Sequence, residues 1–483
     1  MNKTIRRASV FTLLLVLALL VRATWVQFYE GQALADSKDN RRNAIEQYAY
    51  PLGNIIVAGD AITGSAQTTG SDLKYKRTYT DGSLYAAVTG YSSQVFGATQ
   101  LEGVYQDLLD GTDNRLKDPL DTVTGKRADP GDVVTTIDPD VQKAAYNALG
   151  DKKGAAVAID PKTGKILGAV STPSYDPSVL SAGDSAAWKK LTKDPEKPMT
   201  NRALRQPLPP GSTFKLVVAA AALEDGLYAS VDTKTDSPNP YTLPGTTRVL
   251  ENESKSAPCE NATIRVALQY SCNNVFAKMA VDLGQDKLKA MAEKFGFNDK
   301  SQDVPVRAYE SVYPSDMDRS STALTGIGQF DVTATPLQMA MVSATIANGG
   351  KLVSPHMVSQ ISDSDGNVLE NYDDSTDSKE IVSSSTAEQL RSAMQTVVEE
   401  GTGTNARISG ATVGGKTGTA QHGENNSQTP YAWFTSYAKD DSSGKEVAVA
   451  VLVEQSDAAR SEVSGNGLAA PVAKAMMQAA LKN

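Results

Sequence analysis

The chain has 483 residues, of which 40% are hydrophobic and 21% charged, as in a globular protein of two or three domains. Asp and Glu outnumber Lys and Arg by 56 to 47, which gives a net charge of −9 and excludes the basic footprint of a nucleic-acid binder. Two histidines and two cysteines are too few for a histidine-rich or four-cysteine metal centre. We therefore expect neither a metal nor a cofactor, and look to serine, lysine and carboxylate chemistry.

The first thirty residues predict a membrane anchor. Three basic residues within the first seven positions precede an apolar run at 10–21. If Arg22 reaches the interface, residues 8–29 supply the roughly 20 residues that a spanning helix needs. The basic flank predicts a single-pass protein with a cytoplasmic N-terminus and an exported remainder. The alternatives are a cleaved signal, whose nearest A-x-A site lies far away at 33–35, and a buried core helix.

The two cysteines would meet an oxidising compartment if the chain is exported. A disulfide between Cys259 and Cys272 would close a loop of about 14 residues and contribute up to roughly 3 kcal/mol. Two unpaired, mostly buried thiols fit the spacing equally well. The sequence leaves this choice open.

Residues 31–150 read as short strands and turns without a catalytic cluster, and we predict a β-rich, membrane-proximal pedestal domain there. Its clearest strand is 54–57, and the stretch 125–132 is predicted to be a linker or turn. Asp138 and Pro139 are then predicted to cap and open a helix. The predicted domains are therefore 1–30 as tail and anchor, 31–150 as pedestal and 151–483 as the catalytic domain.

Residues 151–483 begin with a predicted hairpin, continue with helices and end with strands and a helix. The hairpin pairs 155–160 with 166–171. The other predicted elements are helices at 211–225, 263–281, 335–348 and 386–400, strands at 412–420, 431–438 and 446–454, and a closing helix at 467–481. A capping box from Ser385 to Glu388 is expected to open the helix at 386–400, and the serine-rich stretch 361–385 is expected to form loops. This order indicates an α+β fold with an antiparallel sheet.

The first of three chemical motifs is Ser212-Thr213-Phe214-Lys215, which leads into an apolar helix. Ser212 then lies at a helix N-terminus, where free N–H groups stabilise negative charge, and Lys215 shares its face one turn later. A lysine desolvated beside a serine can lose its proton and act as the base. Three other S-x-x-K matches begin at positions 71, 436 and 442, but only Ser212 combines a helix start with an apolar continuation.

Two further motifs follow in order. They are Ser271-Cys272-Asn273 and, on a predicted strand, Lys416-Thr417-Gly418-Thr419. Each short pattern occurs a second time, at 464–466 and 162–164, but only this set has the order S-x-x-K, S-x-N, K-T-G in a consistent structural context. The ordered set is the signature of serine β-lactamases and penicillin-binding proteins.

On these motifs the chain is identified as a member of the class B penicillin-binding proteins, the D,D-transpeptidases of cell-wall synthesis, and it resembles most the penicillin-binding protein A group of Actinobacteria. The resemblance covers nearly all of the chain, with further matches at 51–56, 97–102, 160–164, 335–338 and 347–350. Gly328-Gln329-Phe330 departs from the common G-Q-G, and Pro51-Leu52-Gly53-Asn54 departs from the common P-R-G. The resemblance implies a transpeptidase domain of the penicillin-binding and serine β-lactamase fold after a dimerisation-like pedestal.

The resemblance also implies a catalytic role for five residues. Ser212 would be acylated by a stem peptide ending in D-Ala-D-Ala, and Lys215 would accept its proton. Ser271 would relay a proton to the leaving amine with the help of Lys416. Asn273 would bind the substrate amide and position the first lysine.

Substrate binding and partners follow from the same resemblance. The backbone N–H groups of Ser212 and Thr419 would form the oxyanion hole. The hydroxyls of Thr417 and Thr419, beside Gly418, would hold the terminal carboxylate. β-Lactams would be trapped at the nucleophile, and a membrane glycosyltransferase of the SEDS type would be the partner in wall synthesis for cell division or cell shape.

Three alternatives are weighed against this interpretation. A β-lactam-hydrolysing or β-lactam-sensing protein would share the fold, but no E-x-x-L-N motif supplies a deacylating carboxylate. A catalytically inactive binding module would not need the intact motifs. Residues 410–417 match the phosphate-binding loop G-x-x-x-x-G-K-[ST] letter for letter, but the sequence predicts neither the preceding strand nor the following helix. His422 is expected to be structural or solvated.

Overall fold

The computed structural model describes residues 3–30, 41–117, 127–372, 377–423 and 426–482. The alternative cleavage site at 33–35 lies outside the described residues, as does the start of the predicted linker at 125–132.

A long apolar helix opens the chain. Helix α1 spans Lys3–Trp25 and continues as a π turn over Val26–Glu30. None of its residues is buried, and among the described residues this is the one helix long and apolar enough to cross a membrane. Arg22 forms an ion pair with Glu30 at 2.8 Å near its C-terminal end. Complete exposure excludes the buried core helix, because apolar side chains of a core helix pack against the protein.

The region from 41 to 149 combines short strands with short helices. Its strands are β1 Ile55–Val57, β2 Asp60–Ala61, β3 Thr63–Gln67, β4 Tyr75–Tyr79, β5 Ser92–Ser93, β6 Gly97–Ala98 and β7 Asp132–Thr135, and its helices are α2 Arg41–Gln47, α3 Gly82–Thr89, α4 Gln100–Val104, α5 Gln106–Leu109 and α6 Pro139–Leu149. The strand predicted at 54–57 is β1, and Asp138 caps α6 as predicted by accepting from two backbone N–H groups. Helices α2 to α5 were not predicted, because helices of one or two turns leave little periodicity in the sequence.

A buried ion pair holds two of the family-like segments of this region together. The Arg77 guanidinium donates to the Glu102 carboxylate at 2.6 Å and to the Gly53 carbonyl oxygen at 2.5 Å. Both charged side chains are fully buried. Gly53 and Glu102 belong to the segments 51–56 and 97–102, so Arg77 joins these two segments, and removing either charge of the pair would leave the other buried and uncompensated.

The remaining elements build the larger part of the molecule. The strands are β8 Lys153–Ile159, β9 Ile166–Thr172, β10 Tyr241–Thr242, β11 Val249–Leu250, β12 Lys351–Val353, β13 Val358–Ser362, β14 Val368–Asn371, β15 Ser378–Glu380, β16 Ala411–Ala420, β17 Tyr431–Asp440 and β18 Glu446–Gln455. The helices are α7 Ser178–Ser181, α8 Ser185–Lys193, α9 Arg202–Arg205, α10 Lys215–Glu224, α11 Ile264–Gln269, α12 Asn273–Leu283, α13 Gln285–Lys294, α14 Arg319–Thr325, α15 Pro336–Ala347, α16 Ser384–Glu400 and α17 Ala470–Lys482.

One antiparallel sheet organises this part, in the order β16-β17-β18-β8-β9. Successive side chains of a strand point to opposite faces, and both faces are buried here. The odd-numbered valines of β18, from Val447 to Val453, share one core cluster with residues of α6 and α17. Ala448, Ala450 and Leu452 belong to the core cluster on the other face, which includes residues of α10, α12 and α15. The predicted α+β fold with an antiparallel sheet is confirmed.

A second sheet takes strands from distant parts of the chain, in the order β14-β13-β7-β1-β2. Strands β1 and β7 are parallel, and the other pairs are antiparallel. The prediction that 361–385 forms loops was wrong, because the described part of this stretch contains the end of β13, all of β14 and β15, and the start of α16. Strands β14 and β15 are almost entirely exposed, so their sequence lacks the apolar alternation by which strands are recognised.

Two helix predictions need correction. The predicted helix at 263–281 is two helices, α11 and α12, separated by a turn at 270–272. Helix α16 begins before the predicted capping box, because Ser383, not Ser385, accepts the hydrogen bond from the Thr386 N–H. The Ser383 hydroxyl also donates to the Glu224 carboxylate at 2.7 Å. This contact with a residue distant in the sequence holds Ser383 in the position from which it caps the helix.

Candidate active site

The predicted nucleophile lies on a tight turn between two close neighbours. Residues Gly211–Phe214 form a 3₁₀ turn that leads into α10. Gly211 has a φ of +55°, and its N–H donates to the Gly328 carbonyl at 3.0 Å. On the other side, a Cβ placed on Gly211 would lie 3.1 Å from the Ala420 Cβ at the end of β16. The turn is therefore fixed against the strand that carries the third motif, with Ser212 only 6% exposed.

Lys215 is completely buried one turn after the serine. Its Nζ lies within hydrogen-bond distance of three oxygens, the Ser271 carbonyl at 2.8 Å, the Ser271 hydroxyl at 3.2 Å and the Asn273 Oδ1 at 2.8 Å. The ring of Phe276 lies 5.5 Å from the same nitrogen. Every polar contact of this amine thus comes from the second motif, and within the described residues the Ser212 hydroxyl makes no hydrogen bond.

The second motif occupies the break between α11 and α12. Ser271 has a φ of +60°, a left-handed conformation that non-glycine residues seldom adopt. The break brings the Ser271 hydroxyl between the two lysines, 3.2 Å from the Lys215 Nζ and 3.0 Å from the Lys416 Nζ. The next residue, Cys272, forms a disulfide with Cys259, which resolves the pairing that the sequence left open.

The third motif lies on the edge strand β16. Lys416 is fully buried, and its Nζ also donates to the Thr417 carbonyl at 2.9 Å. The Thr417 hydroxyl shares a hydrogen bond with the Thr402 hydroxyl at 2.8 Å. A Cβ on Gly418 would lie 2.9 Å from the Pro210 carbonyl oxygen, so only glycine lets the turn that carries Ser212 come this close to β16. Thr419, at the following position, is half-buried.

The structure therefore brings Lys215, Ser271, Asn273 and Lys416 into one hydrogen-bonded cluster next to Ser212. The threonines and the glycine of the third motif line the strand beside the cluster. Thr402 is an addition that the sequence did not suggest, because it lies in a Gly-Thr-Gly-Thr turn with no motif of its own.

Burial makes both lysines weak bases. It lowers the pKa of Lys215 well below its ordinary value of 10.5, the nearby Lys416 lowers it further, and the Glu253 carboxylate opposes the change. Burial likewise lowers the pKa of Lys416 to about 7, again opposed by Glu253. A neutral amine at neutral pH is the form that accepts a proton.

Comparisons with known proteins identify the family of this chain. Residues 154–478 match the penicillin binding protein transpeptidase domain, and residues 52–133 match the penicillin binding protein A dimerisation domain. The chain is 38% identical to the peptidoglycan D,D-transpeptidase PbpA of Mycolicibacterium smegmatis and 36% identical to PbpA of Mycobacterium tuberculosis, in each case over 100% of this chain and 99% of the relative. The chain belongs to the penicillin-binding protein transpeptidase family.

Solved structures of this family superpose on the chain. The ceftriaxone acyl-enzyme complex of penicillin-binding protein A from M. tuberculosis has a TM-score of 0.82 and 36% identity, and the match covers 90% of this chain and 100% of that structure. The imipenem acyl-enzyme complex of the same protein has a TM-score of 0.80.

Family membership and local structure together exclude the phosphate-binding loop. Residues 411–420 form the strand β16, so the described residues directly after Thr417 continue as strand and do not open a helix. A phosphate-binding loop must instead open a helix whose N-terminus faces the phosphates. The other candidate outside the motifs, His422, stacks on Tyr431 at 4.0 Å and contacts the Thr429 carbonyl oxygen through its Nε2, which agrees with the structural interpretation.

Proposed function

We propose that this protein is a peptidoglycan D,D-transpeptidase that works through an acyl-enzyme on Ser212. The observation that carries the proposal is the hydrogen-bonded path from Lys215 through the Ser271 hydroxyl to Lys416, beside a serine on a helix turn. Relatives that align over the full chain are named peptidoglycan D,D-transpeptidases, and the superposed mycobacterial structures are acyl-enzymes with β-lactams.

The first half-reaction forms an ester on Ser212. Neutral Lys215 accepts the hydroxyl proton while the serine oxygen attacks the carbonyl carbon between the two D-alanines of a stem peptide. Backbone N–H groups of Ser212 and Thr419 stabilise the oxyanion. As the C–N bond breaks, the Ser271 hydroxyl gives a proton to the departing D-alanine amine and is reprotonated from the lysines that flank it.

The second half-reaction transfers the acyl group to an amine of another stem peptide. The amine nitrogen bonds to the ester carbonyl carbon, the C–Oγ bond breaks, and the proton lost by the amine returns to the Ser212 oxygen through Lys215. A β-lactam enters the first half-reaction only. Its leaving nitrogen stays tethered to the acyl group after ring opening, so the site remains blocked.

Substrate positioning is assigned to the residues around this path. Asn273 accepts from Lys215 through its Oδ1 and offers an N–H to the substrate amide. The hydroxyls of Thr417 and Thr419 hold the terminal carboxylate. Gly418 supports the binding of the carboxylate because, without a side chain, it lets the turn that carries Ser212 come close to β16.

The location and partners of the enzyme complete the proposal. We propose a single-pass membrane protein with a cytoplasmic N-terminus, residues 31–150 as pedestal and residues 151–483 as the extracytoplasmic catalytic domain. A SEDS-type glycosyltransferase supplies the glycan strands, in wall synthesis for division or cell shape. A protease added outside intact protoplasts should degrade the catalytic domain, and survival of that domain would contradict this topology.

Labelling with a fluorescent penicillin tests the acyl-enzyme. The full chain in detergent should take one covalent label, and Ser212→Ala should take none. Ser442→Ala is the matched control, because this exposed serine begins another S-x-x-K match and should label like the wild type. Labelling that persists in Ser212→Ala would contradict the assignment.

A second measurement separates a transpeptidase from a β-lactam-hydrolysing enzyme of the same fold. After excess penicillin is removed, the acyl-enzyme should persist for many minutes, because the site has no assigned carboxylate that activates water against the ester. Recovery of free enzyme within seconds would favour the hydrolase. Cross-linked dimers formed from synthetic stem peptides would establish the transpeptidase activity directly.

A further inference from the structure

The segment Glu251-Asn252-Glu253, which directly follows β11, contacts the second motif. The Asn252 Oδ1 accepts from the Asn273 N–H at 2.6 Å and from the Asn274 N–H at 3.3 Å. The Glu251 carbonyl oxygen accepts from the Asn273 Nδ2 at 2.9 Å.

Helix α12 lacks a cap of its own. The first N–H groups of a helix have no partner within the helix and are usually satisfied by the side chain of the N-cap residue. Here the N-cap position is Cys272, which makes no side-chain capping bond because its sulfur is in the disulfide. Asn252 supplies the missing acceptor from a separate segment, 21 positions before Asn273.

The amide of Asn252 is itself held in one orientation. Its Nδ2 donates to the Asn239 Oδ1 at 3.2 Å and to the Asn274 Oδ1 at 3.0 Å. Asn274 is anchored in turn, because its Nδ2 donates to the Cys259 carbonyl oxygen at 2.8 Å. With both ends of its amide engaged, Asn252 cannot flip without breaking hydrogen bonds.

The same segment determines which end of the Asn273 amide faces Lys215. Because the Glu251 carbonyl takes the Nδ2 of Asn273, the Oδ1 is the end left for the Lys215 Nζ, at 2.8 Å. A shift in the first turn of α12 would therefore move an acceptor of the general base as well as the Ser271 hydroxyl. A displacement of about 1 Å is enough to lower a rate a hundredfold.

We propose that Asn252 is a positioning residue for acylation, acting through Asn273 on Lys215. It holds the first turn of α12 in register with the nucleophile turn while making no contact with substrate itself. The inference rests on the proposed function, since it concerns the same base and the same acyl-enzyme.

The test measures the second-order rate constant for acylation of the full chain in detergent by a fluorescent penicillin, across a range of pH. Asn252→Ala removes the acceptor and should lower the rate on the alkaline plateau by roughly 10- to 100-fold. Asn252→Asp keeps the acceptor but loses the amide donors, and its plateau should stay within about threefold of the wild type. Its added charge should move the acid limb to higher pH, because a carboxylate favours the protonated lysines.

The controls separate positioning from general destabilisation. Asn239→Ala removes one partner of the Asn252 Nδ2 but leaves both capping bonds, and it should label at close to the wild-type rate. If Asn252→Ala does not fold, Asn252→Gln decides the question, because the longer side chain displaces the acceptor while keeping the amide. It should lower the plateau while the melting temperature stays within a few degrees.

The proposal is overturned if the folded Asn252→Ala acylates within about threefold of the wild type, or if Asn252→Asp is as slow on its plateau as Asn252→Ala. An equally fast Asn252→Gln would overturn it in the same way. If the wild type itself takes no label, the proposed function fails; a labelled wild type with an unaffected Asn252→Ala contradicts only the positioning role.

Discussion

The free energy of unfolding of Lys416→Met, compared with that of the wild type, should be more favourable to the variant at neutral pH than at alkaline pH. Burial lowers the pKa of this lysine from 10.5 to about 7 in the folded protein, whereas the unfolded chain retains the ordinary value. Between these two values the unfolded chain binds a proton that the folded protein does not. The wild-type free energy of unfolding must therefore rise with pH in this window, by 2.303RT for each pH unit. The methionine variant lacks this dependence.

The magnitude follows from the pKa difference. One pKa unit corresponds to about 1.36 kcal/mol, so the advantage of Lys416→Met should shrink by about 2.7 kcal/mol between pH 7.5 and pH 9.5. The lost hydrogen bonds to Ser271 and Thr417 lower stability equally at both pH values and cancel in the difference. At roughly 2 °C per kcal/mol for a domain of this size, the gap in melting temperature should narrow by about 5 °C.

The assay is thermal unfolding of the full chain in detergent at both pH values, followed by tryptophan fluorescence. Lys143→Met on the exposed face of α6 is the matched control and should show a gap that does not change with pH. Lys416 also lowers the pKa of Lys215, so its removal should raise that pKa. This second effect likewise narrows the gap in melting temperature as the pH rises. A constant gap for Lys416→Met would mean that the buried amine stays protonated, and it would refute the assignment of the lysines as neutral.

Two other predictions concern the surroundings of the lysine pair. Glu253→Gln removes a carboxylate that raises the pKa of both lysines, so the acid limb of the acylation profile should move to lower pH; a shift to higher pH would contradict the electrostatic account. Replacing Cys259 and Cys272 together by serine should lower the melting temperature by about 6 °C, because closing this loop contributes roughly 3 kcal/mol to stability. The same double variant should acylate more slowly, since Cys272 lies between Ser271 and Asn273, and an unchanged rate would show that the disulfide does not hold the motif in place.

The first motif and the sheet could be predicted from the sequence because their geometry is local. Residues one helical turn apart share a face, so the spacing of Ser212 and Lys215 already implied their proximity. The strands β16 to β18 are each ten residues long, and the sequence predicts their ends to within two residues.

The rest of the site depends on contacts that no local pattern carries. The left-handed Ser271 breaks a stretch that otherwise reads as one helix. The cap of α12 comes from Asn252, which lies 21 positions before Asn273. The polar residues around Asn252 in the sequence form no pattern that indicates this role. The disulfide could be listed as a possibility only, because its formation depends on the distance between two segments that the turn at 270–272 determines.

The neutral partners of the two lysines fit the proposal that a lysine is the base at this site, where other serine enzymes use histidine. A carboxylate in direct contact would stabilise the ammonium form and raise the pKa, leaving no base at neutral pH. Among the described residues neither Lys215 nor Lys416 forms an ion pair, and their acceptors are carbonyl, hydroxyl and amide oxygens. These uncharged oxygens hold the buried amine without the negative charge of a carboxylate, which would favour its protonated form. The arrangement still destabilises the fold at neutral pH, and the capping bonds of Asn252 and the disulfide at Cys272 hold the second motif against these lysines.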